Sequence, residues 1–192
     1  MTTTTGTRST AQDQRPRITR HAVEVFARAG YHATPVTEVA TAAGVSPAYV
    51  FRLFPGKLGL FVAAVDACYD QVATTLVAAG RDCAAADPAA GPEPRLAAMT
   101  SAYVELIRDR DLIALQSHAQ STCDVPEIRE AVRRGLATVV DGVTDTSGAS
   151  PSAVQRFMAY GQLCHLIVQT GLDDLDSAWA HLLTAGIAHP SD

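Results

Sequence analysis

Residues 44–57 read GVSPAYVFRLFPGK, a segment that gathers a proline, three aromatic residues and a single arginine. Ser46 is a good N-cap, Pro47 suits the first helical turn where no backbone donor is needed, and Val45 and Val50 hold the N′ and N4 positions of a hydrophobic staple. These signals predict a helix that starts at Pro47. Placing its residues at about 100° intervals puts Val50, Leu53 and Phe54 on one side and Ala48 and Arg52 at the opposite pole, with Tyr49 and Phe51 flanking. Arg52 therefore points away from the core.

Two further helical patterns precede this segment. Ile18, Ala22, Val25, Phe26 and Ala29 share one face of a helix expected from about Asp13 to Ala29, with Gly30 in the C′ position that ends it. A short helix from about Thr37 to Ala43 follows and stops at Gly44. Two short helices joined by AAGVS, the second well capped and small, aromatic and cationic on its outer face, form a helix-turn-helix. Ala48 would let the helix sink into a major groove about 12 Å wide, where Arg52 reaches a guanine edge or a phosphate. Lys57, the only lysine in the chain, would clamp phosphate from the rim. Periodicity alone equally fits a small packing bundle in which Tyr49 and Phe51 are core residues and Arg52 is solvated.

The charge is divided unevenly along the chain. The 192-residue chain carries a formal net charge of −5. Residues 1–57 hold seven basic groups against three acidic ones, so a front of +4 is fused to a body of −9. The opening residues MTTTTGTRST lack the apolar stretch of a secretory signal and read as a disordered tail over residues 1–12, so the expected location is the cytoplasm. Cys68, Cys83, Cys123 and Cys164 are spaced by 15, 40 and 41 positions, which matches neither a CxxC pair nor a zinc pattern. They are expected to be reduced, partly buried thiols, and no metal or cofactor is implied.

The rest of the chain reads as all-helical, because apolar residues recur at spacings of three and four and few runs alternate with period two. A helix is expected from about Lys57 to Gly80, then a loop, CAAADPAAGPEP. Later helices are expected at about 93–109, 111–122, 125–146, 151–171 and 174–188, with Asp124 and Glu127 forming a box-like cap and SGASP marking a turn. Leu96, Met99, Tyr103 and Ile107 form one inward stripe, and Leu112, Leu115, Gln116, Ala119 and Cys123 another. Gln116 is the anomaly there, since a buried amide needs a backbone carbonyl, a water or a ligand as partner. His118 and His165 are read as partly buried, satisfied histidines. Residues 157–172, FMAYGQLCHLIVQTGL, contain no formally charged side chain, yet Gln162, His165, Gln169 and the length of the run exclude a membrane span. Such a helix is either central to the body or an interface. With Leu175, Trp179, Leu182, Leu183 and Ile187 of the following helix it could form half of a four-helix bundle.

From Arg17 to Phe61 the sequence, RITRHAVEVFARAGYHATPVTEVATAAGVSPAYVFRLFPGKLGLF, resembles the DNA-binding domain of the TetR family of bacterial transcription regulators. The likeness lies in the Ile…Ala…Phe spacing of the first helix, the Gly-Tyr after it, the Val-Ala…Ala-Gly-Val-Ser turn and the Phe…Lys…Leu-Phe exit. It implies a helix-turn-helix domain over residues 13–56 and a helical effector-binding and dimerisation domain over 57–192. By position, Pro47, Ala48, Tyr49, Phe51 and Arg52 face DNA with Ser46 beside them at the helix start, while Thr37 and Lys57 hold phosphates. Phe51 stands where the family commonly has tyrosine. Pro35 stands where a Ser or Thr often caps the second helix, a role expected here of Thr34 or Thr37.

The resemblance further implies dimerisation through the last two long helices, which assigns Phe157, Gly161, Cys164, Val168, Trp179 and Leu183 to the seam. Any cavity between the two inward stripes would be lined by Met99, Ile107 and Leu115, with Tyr103, Gln116 and His118 as orienting polar groups. Such a lining suits a small, mostly apolar effector. The expected partners are double-stranded operator DNA, a second copy of the chain and that effector, with no membrane involved. An enzyme is the competing class, but no Ser/His/Asp order, metal spacing or glycine-rich phosphate loop supports catalysis. Repression is favoured; activation, or sensing of a protein, is left open.

Overall fold

The computed structural model describes residues 11–186, all of it helix and connecting turn. Residues 1–10 of the expected tail, and Ile187 of the last helix, lie outside the described residues. The helices in chain order are α1 (Ala11–Ala33), α2 (Val36–Ala42), α3 (Pro47–Leu53), α4 (Gly56–Ala86), α5 (Pro92–Leu106), α6 (Arg110–Ser121), α7 (Pro126–Ser147), α8 (Pro151–Thr170) and α9 (Ala178–Thr184). Helix α1 begins two residues earlier than its expected start and bends at Gly30, whose φ of 71° and ψ of −172° break the helical run.

Helices α1–α3 close around Ile18, Ala22, Phe26, Val39, Val50 and Phe54, all buried. This unit is bolted to the body through aromatic rings: Phe26 meets Phe61 of α4 edge-on at 4.9 Å between centroids, and Tyr31 tilts against Phe61 at 5.3 Å. Helix α6 also packs along α1, so two body helices hold the front unit. The body is built on α4 against α5 and α7. At Gly135 of α7 a side chain would run into the ring of Tyr69 on α4, so the absent Cβ is what brings these two helices together.

Several boundaries depart from the sequence expectation. Helix α4 continues to Ala86, because Gly80 is a contact point and not a stop: a Cβ there would collide with Met99 and lie 2.7 Å from the Thr146 methyl. The alanines that follow sustain the helix until Asp87 and Pro88, so the loop shrinks to residues 87–91. Asp124 does not cap α7; Val125 takes that position with no side-chain cap, and Pro126 opens the helix. Neither Thr34 nor Thr37 caps α2, whose N-cap is Pro35, and the Thr34 hydroxyl is buried without a partner. The expected helix at 174–188 is instead a 3₁₀ turn, Leu172–Asp174, followed by α9 from Ala178. Asp173, Asp174, Asp176 and Ser177 crowd this stretch, and such side chains compete with the helical backbone.

Candidate nucleic-acid interface and interior cavity

The start of α3 forms as its residues dictate. Ser46 has extended backbone angles and its hydroxyl accepts from the Tyr49 amide at 3.2 Å, with Pro47 at the first helical position. Val50 is buried under the turn, and Val45 packs against the same core. The opposite face carries Pro47, Ala48 and Arg52, all exposed, and Phe51, which leaves 52% of its surface in solvent. An aromatic ring that bare is not explained by packing within its own chain. The Arg52 guanidinium lies 4.4 Å from the centre of the Tyr49 ring, a cation–π contact that stiffens both side chains on the outer face.

Two basic residues brace this helix. The Arg15 guanidinium donates to the Leu53 carbonyl at 2.6 Å and stacks 4.5 Å from the Phe54 ring, tying α1 to the end of α3. Lys57 donates to the His32 carbonyl at 3.0 Å and sits over the Tyr31 ring at 5.1 Å. Its ammonium thus joins the ends of α1 and α4 and keeps two further protons for an outside acceptor. Thr37 is exposed on the first turn of α2. Arg15 was missed by sequence reasoning: nothing in the spacing of residues 15 and 53 signals their contact.

Behind this unit lies a cavity of about 1120 Å³. Its walls come from α4 (Tyr69, Val72, Leu76), α5 (Leu96, Thr100, Tyr103, Val104), α6 (Gln116), α7 (Leu136, Val139) and α8 (Phe157, Met158, Gly161, Cys164). Glu93, Arg156 and Tyr160 line it as well and are exposed, so they mark its solvent end. Of the six residues expected to line an effector site, Tyr103 and Gln116 line this cavity. Met99, Ile107 and Leu115 do not, being wholly buried in contacts with other helices. Helix α5 stops at Leu106, which turns Ile107 into a separate cluster with Ile113, Cys164 and Val168.

His118 is likewise no cavity residue. Its ring presses on Gly30 in α1, where an added Cβ would come 2.7 Å from Nδ1. Two of the residues expected in a dimer seam are also turned inward: Cys164 and Val168 are buried in the cluster with Ile107 and Ile113. Phe157 and Gly161 line the cavity. The outward face of α8 and α9 instead presents Tyr160, Leu166, Trp179 and Leu182, the last 78% exposed, with Leu183 half-buried beside them. Phase around the helix decides part of this difference: Leu166 lies on the side of α8 away from Cys164 and Val168, while Tyr160, one turn before Cys164, is exposed at the mouth of the cavity.

The polar groups deep in the body are electrically neutral. The Tyr103 hydroxyl is hydrogen-bonded to His165 Nε2, and burial, with Cys164 next in weight, pushes its phenol well above the usual range. Burial pulls the His165 imidazole down to about 4. Burial likewise raises Tyr69 to about 12; its hydroxyl makes no hydrogen bond of normal geometry, although the Gln120 amide lies beside it. Cys68, raised by burial to about 12, donates to the Leu112 carbonyl at 3.4 Å. Among the described residues no group of His, Cys, Asp and Glu is arranged to hold a metal ion. Helix α4 has the length and apolarity of a membrane span, but half of that stretch is buried in the bundle.

Residues 18–64 match the sequence model of the bacterial regulatory proteins of the tetR family, a span that covers α2 and α3 whole together with most of α1 and the start of α4. No curated protein matches the chain. Solved structures that share its fold include three from Bacillus and Agrobacterium. FadR from Bacillus subtilis, in complex with stearoyl-CoA, is 20% identical with a TM-score of 0.66, over 90% of this chain and 99% of that one. A TetR-family transcriptional regulator from Agrobacterium tumefaciens is 16% identical with a TM-score of 0.65, over 91% and 95%. The fatty acid degradation regulator FadR from Bacillus halodurans is 17% identical with a TM-score of 0.63, over 98% and 100%. Residues 18–64 thus match the tetR-family sequence model, and the chain as a whole shares the fold of solved structures described as transcriptional regulators.

Proposed function

We propose that the protein is a homodimeric, ligand-responsive repressor that leaves a pseudo-palindromic operator when a mostly apolar effector fills the cavity. The observation that carries this reading is the outer face of α3. Pro47, Ala48, Phe51 and Arg52 stand exposed on a capped helix, in a unit whose apolar side chains Ile18, Ala22, Phe26, Val39, Val50 and Phe54 are buried in its own core. Pro47, Ala48, Tyr49, Phe51 and Arg52 would enter the major groove. Thr37, Ser46 and Lys57 would hold the flanking phosphates, and the +4 charge of residues 1–57 would draw the domain to DNA. Such a protein works in the cytoplasm.

The remaining parts of the reading have separate support. The cavity shares α4 and α6 with the elements that hold the front unit, so an occupant that moves either helix would alter the spacing of two recognition helices. The Bacillus subtilis FadR structure, in complex with stearoyl-CoA, supports an effector with an apolar part, since the acyl chain of that ligand is apolar. Tyr160, Leu166, Trp179 and Leu182 offer an exposed apolar face that a second copy would cover by two-fold pairing. Selection of bound duplexes from random DNA, followed by gel shift over a salt series, tests the reading. A regulator of this kind selects a two-fold symmetric site and loses affinity steeply with salt. Recovery of no bound sequence at low salt would refute it.

A further inference from the structure

The outer face of α3 is mostly apolar. At about 100° per residue, Pro47, Phe51 and Ala48 follow one another around an uninterrupted arc with Arg52 at its far edge, and all four are exposed. Phe51 keeps 52% of its surface in solvent. The Arg52 guanidinium is held 4.4 Å from the centre of the Tyr49 ring, on the side of the helix away from Phe51, so the one cation of this face leaves the apolar arc uncovered. Phe51 also lacks the hydroxyl with which a tyrosine in its place would reach a phosphate. The side chains of the arc can therefore offer a partner apolar contact and no hydrogen bond.

The base edges of a major groove are not equivalent to such a surface. Guanine presents N7 and O6, cytosine its N4 amino group and adenine N7 and N6, whereas thymine alone adds a C5-methyl group to its O4. A phenyl ring laid on the first three strips water from donors and acceptors and returns no hydrogen bond. Against the thymine methyl it buries apolar surface on both partners. We propose that Phe51 is a specificity-determining residue that reads the C5-methyl group of a thymine in each operator half-site, with Ala48 beside it small enough to let the ring approach. This rests on the reading of α3 as the helix that enters the major groove. One base pair is thus selected by a methyl group, without a hydrogen bond.

The test uses the full-length protein and the tightest duplex selected from a random library, resynthesised with uracil, which is thymine without its methyl group, at each thymine in turn. At one thymine of each half-site the replacement is expected to weaken binding roughly threefold to fivefold, the ratio that burying one methyl group supplies. Replacing both together should cost roughly tenfold or more. A cytosine placed at the same position should bind more tightly once it carries a 5-methyl group, by a similar ratio, because the base pair is unchanged and only the methyl is added. Phe51→Ala should abolish both differences. Phe51→Leu, which keeps an apolar side chain, should retain most of each, and circular dichroism melting verifies that both variants remain folded. A selected duplex in which no uracil replacement alters affinity would overturn the proposal. A methyl effect that persists undiminished in Phe51→Ala would overturn it too, by showing that another residue reads the base and the ring lies on the sugar–phosphate backbone. If the library yields no bound sequence at low salt, the reading of α3 as a groove-binding helix falls and the proposal falls with it.

Discussion

Gly30 offers a way to measure how the DNA-binding unit is joined to the body. Its φ of 71° and ψ of −172° lie in a region occupied almost solely by glycine, so Gly30→Ala costs about 1–3 kcal/mol in backbone strain alone. The added Cβ would also lie 2.7 Å from His118 Nδ1 and 3.1 Å from its Cγ, and pushing a packed ring aside costs about another 1–3 kcal/mol. The single variant should therefore lose about 2–6 kcal/mol. In the double variant Gly30→Ala/His118→Ala the clash disappears and the strain remains, so the cycle should return a coupling of at least about 1 kcal/mol. Urea unfolding of the four proteins, followed by circular dichroism, supplies the numbers. A Gly30→Ala protein as stable as wild type, or one equally destabilised with and without the His118 ring, would refute this account of the junction. Since α6 carries Gln116 at the cavity and His118 at Gly30, His118→Ala should also reduce the coupling between effector and operator, typically about 1–3 kcal/mol in such systems.

Arg52→Ala should cost about 1–3 kcal/mol of operator affinity and relax preference at one position, whereas Lys57→Ala should weaken all duplexes alike; equal losses on every sequence for both would make Arg52 a phosphate contact. Leu182→Glu, which puts a charge at the most exposed apolar side chain of α9, should shift sedimentation at micromolar concentration from dimer to monomer, and an unaltered dimer would remove α9 from the interface. His165 is held neutral in the fold, with its pKa lowered by burial to about 4, so its contribution is complete above about pH 6.5 and is lost as pH falls toward 4, where the unfolded chain takes up a proton first. The stability of wild type should thus fall over that window by up to about 1.4 kcal/mol per pH unit from this group, and His165→Gln should flatten the slope in pH-dependent melting.

What the sequence by itself determined is local. Ser46, Pro47 and the staple valines act within a single turn, so the start of α3 and its outward Arg52 could be derived from one short segment. The all-helical class followed from spacings of three and four, and so did the burial of Ile18, Ala22, Val25 and Phe26 on one face of α1. Gly80 shows where that reasoning stops: in sequence a glycine after a helical run looks like an end, and only the approach of Met99 and Thr146 shows that it is a contact. The expected seam at Cys164 and Val168 moved for a similar reason. A helix apolar on two faces does not state which face meets its own chain, and that choice was made by Ile107 and Ile113 from helices far away in sequence. Likewise Met99, Ile107 and Leu115 share a periodicity with Tyr103 and Gln116, but the cavity opens only where α4, α7 and α8 leave a gap, and a gap is a property of several helices at once. His118 and Arg15 complete the pattern. Their partners, Gly30 and Leu53, stand far from them in the chain, and contacts between residues so separated are decided by the packing of whole helices, because no local interaction brings them together.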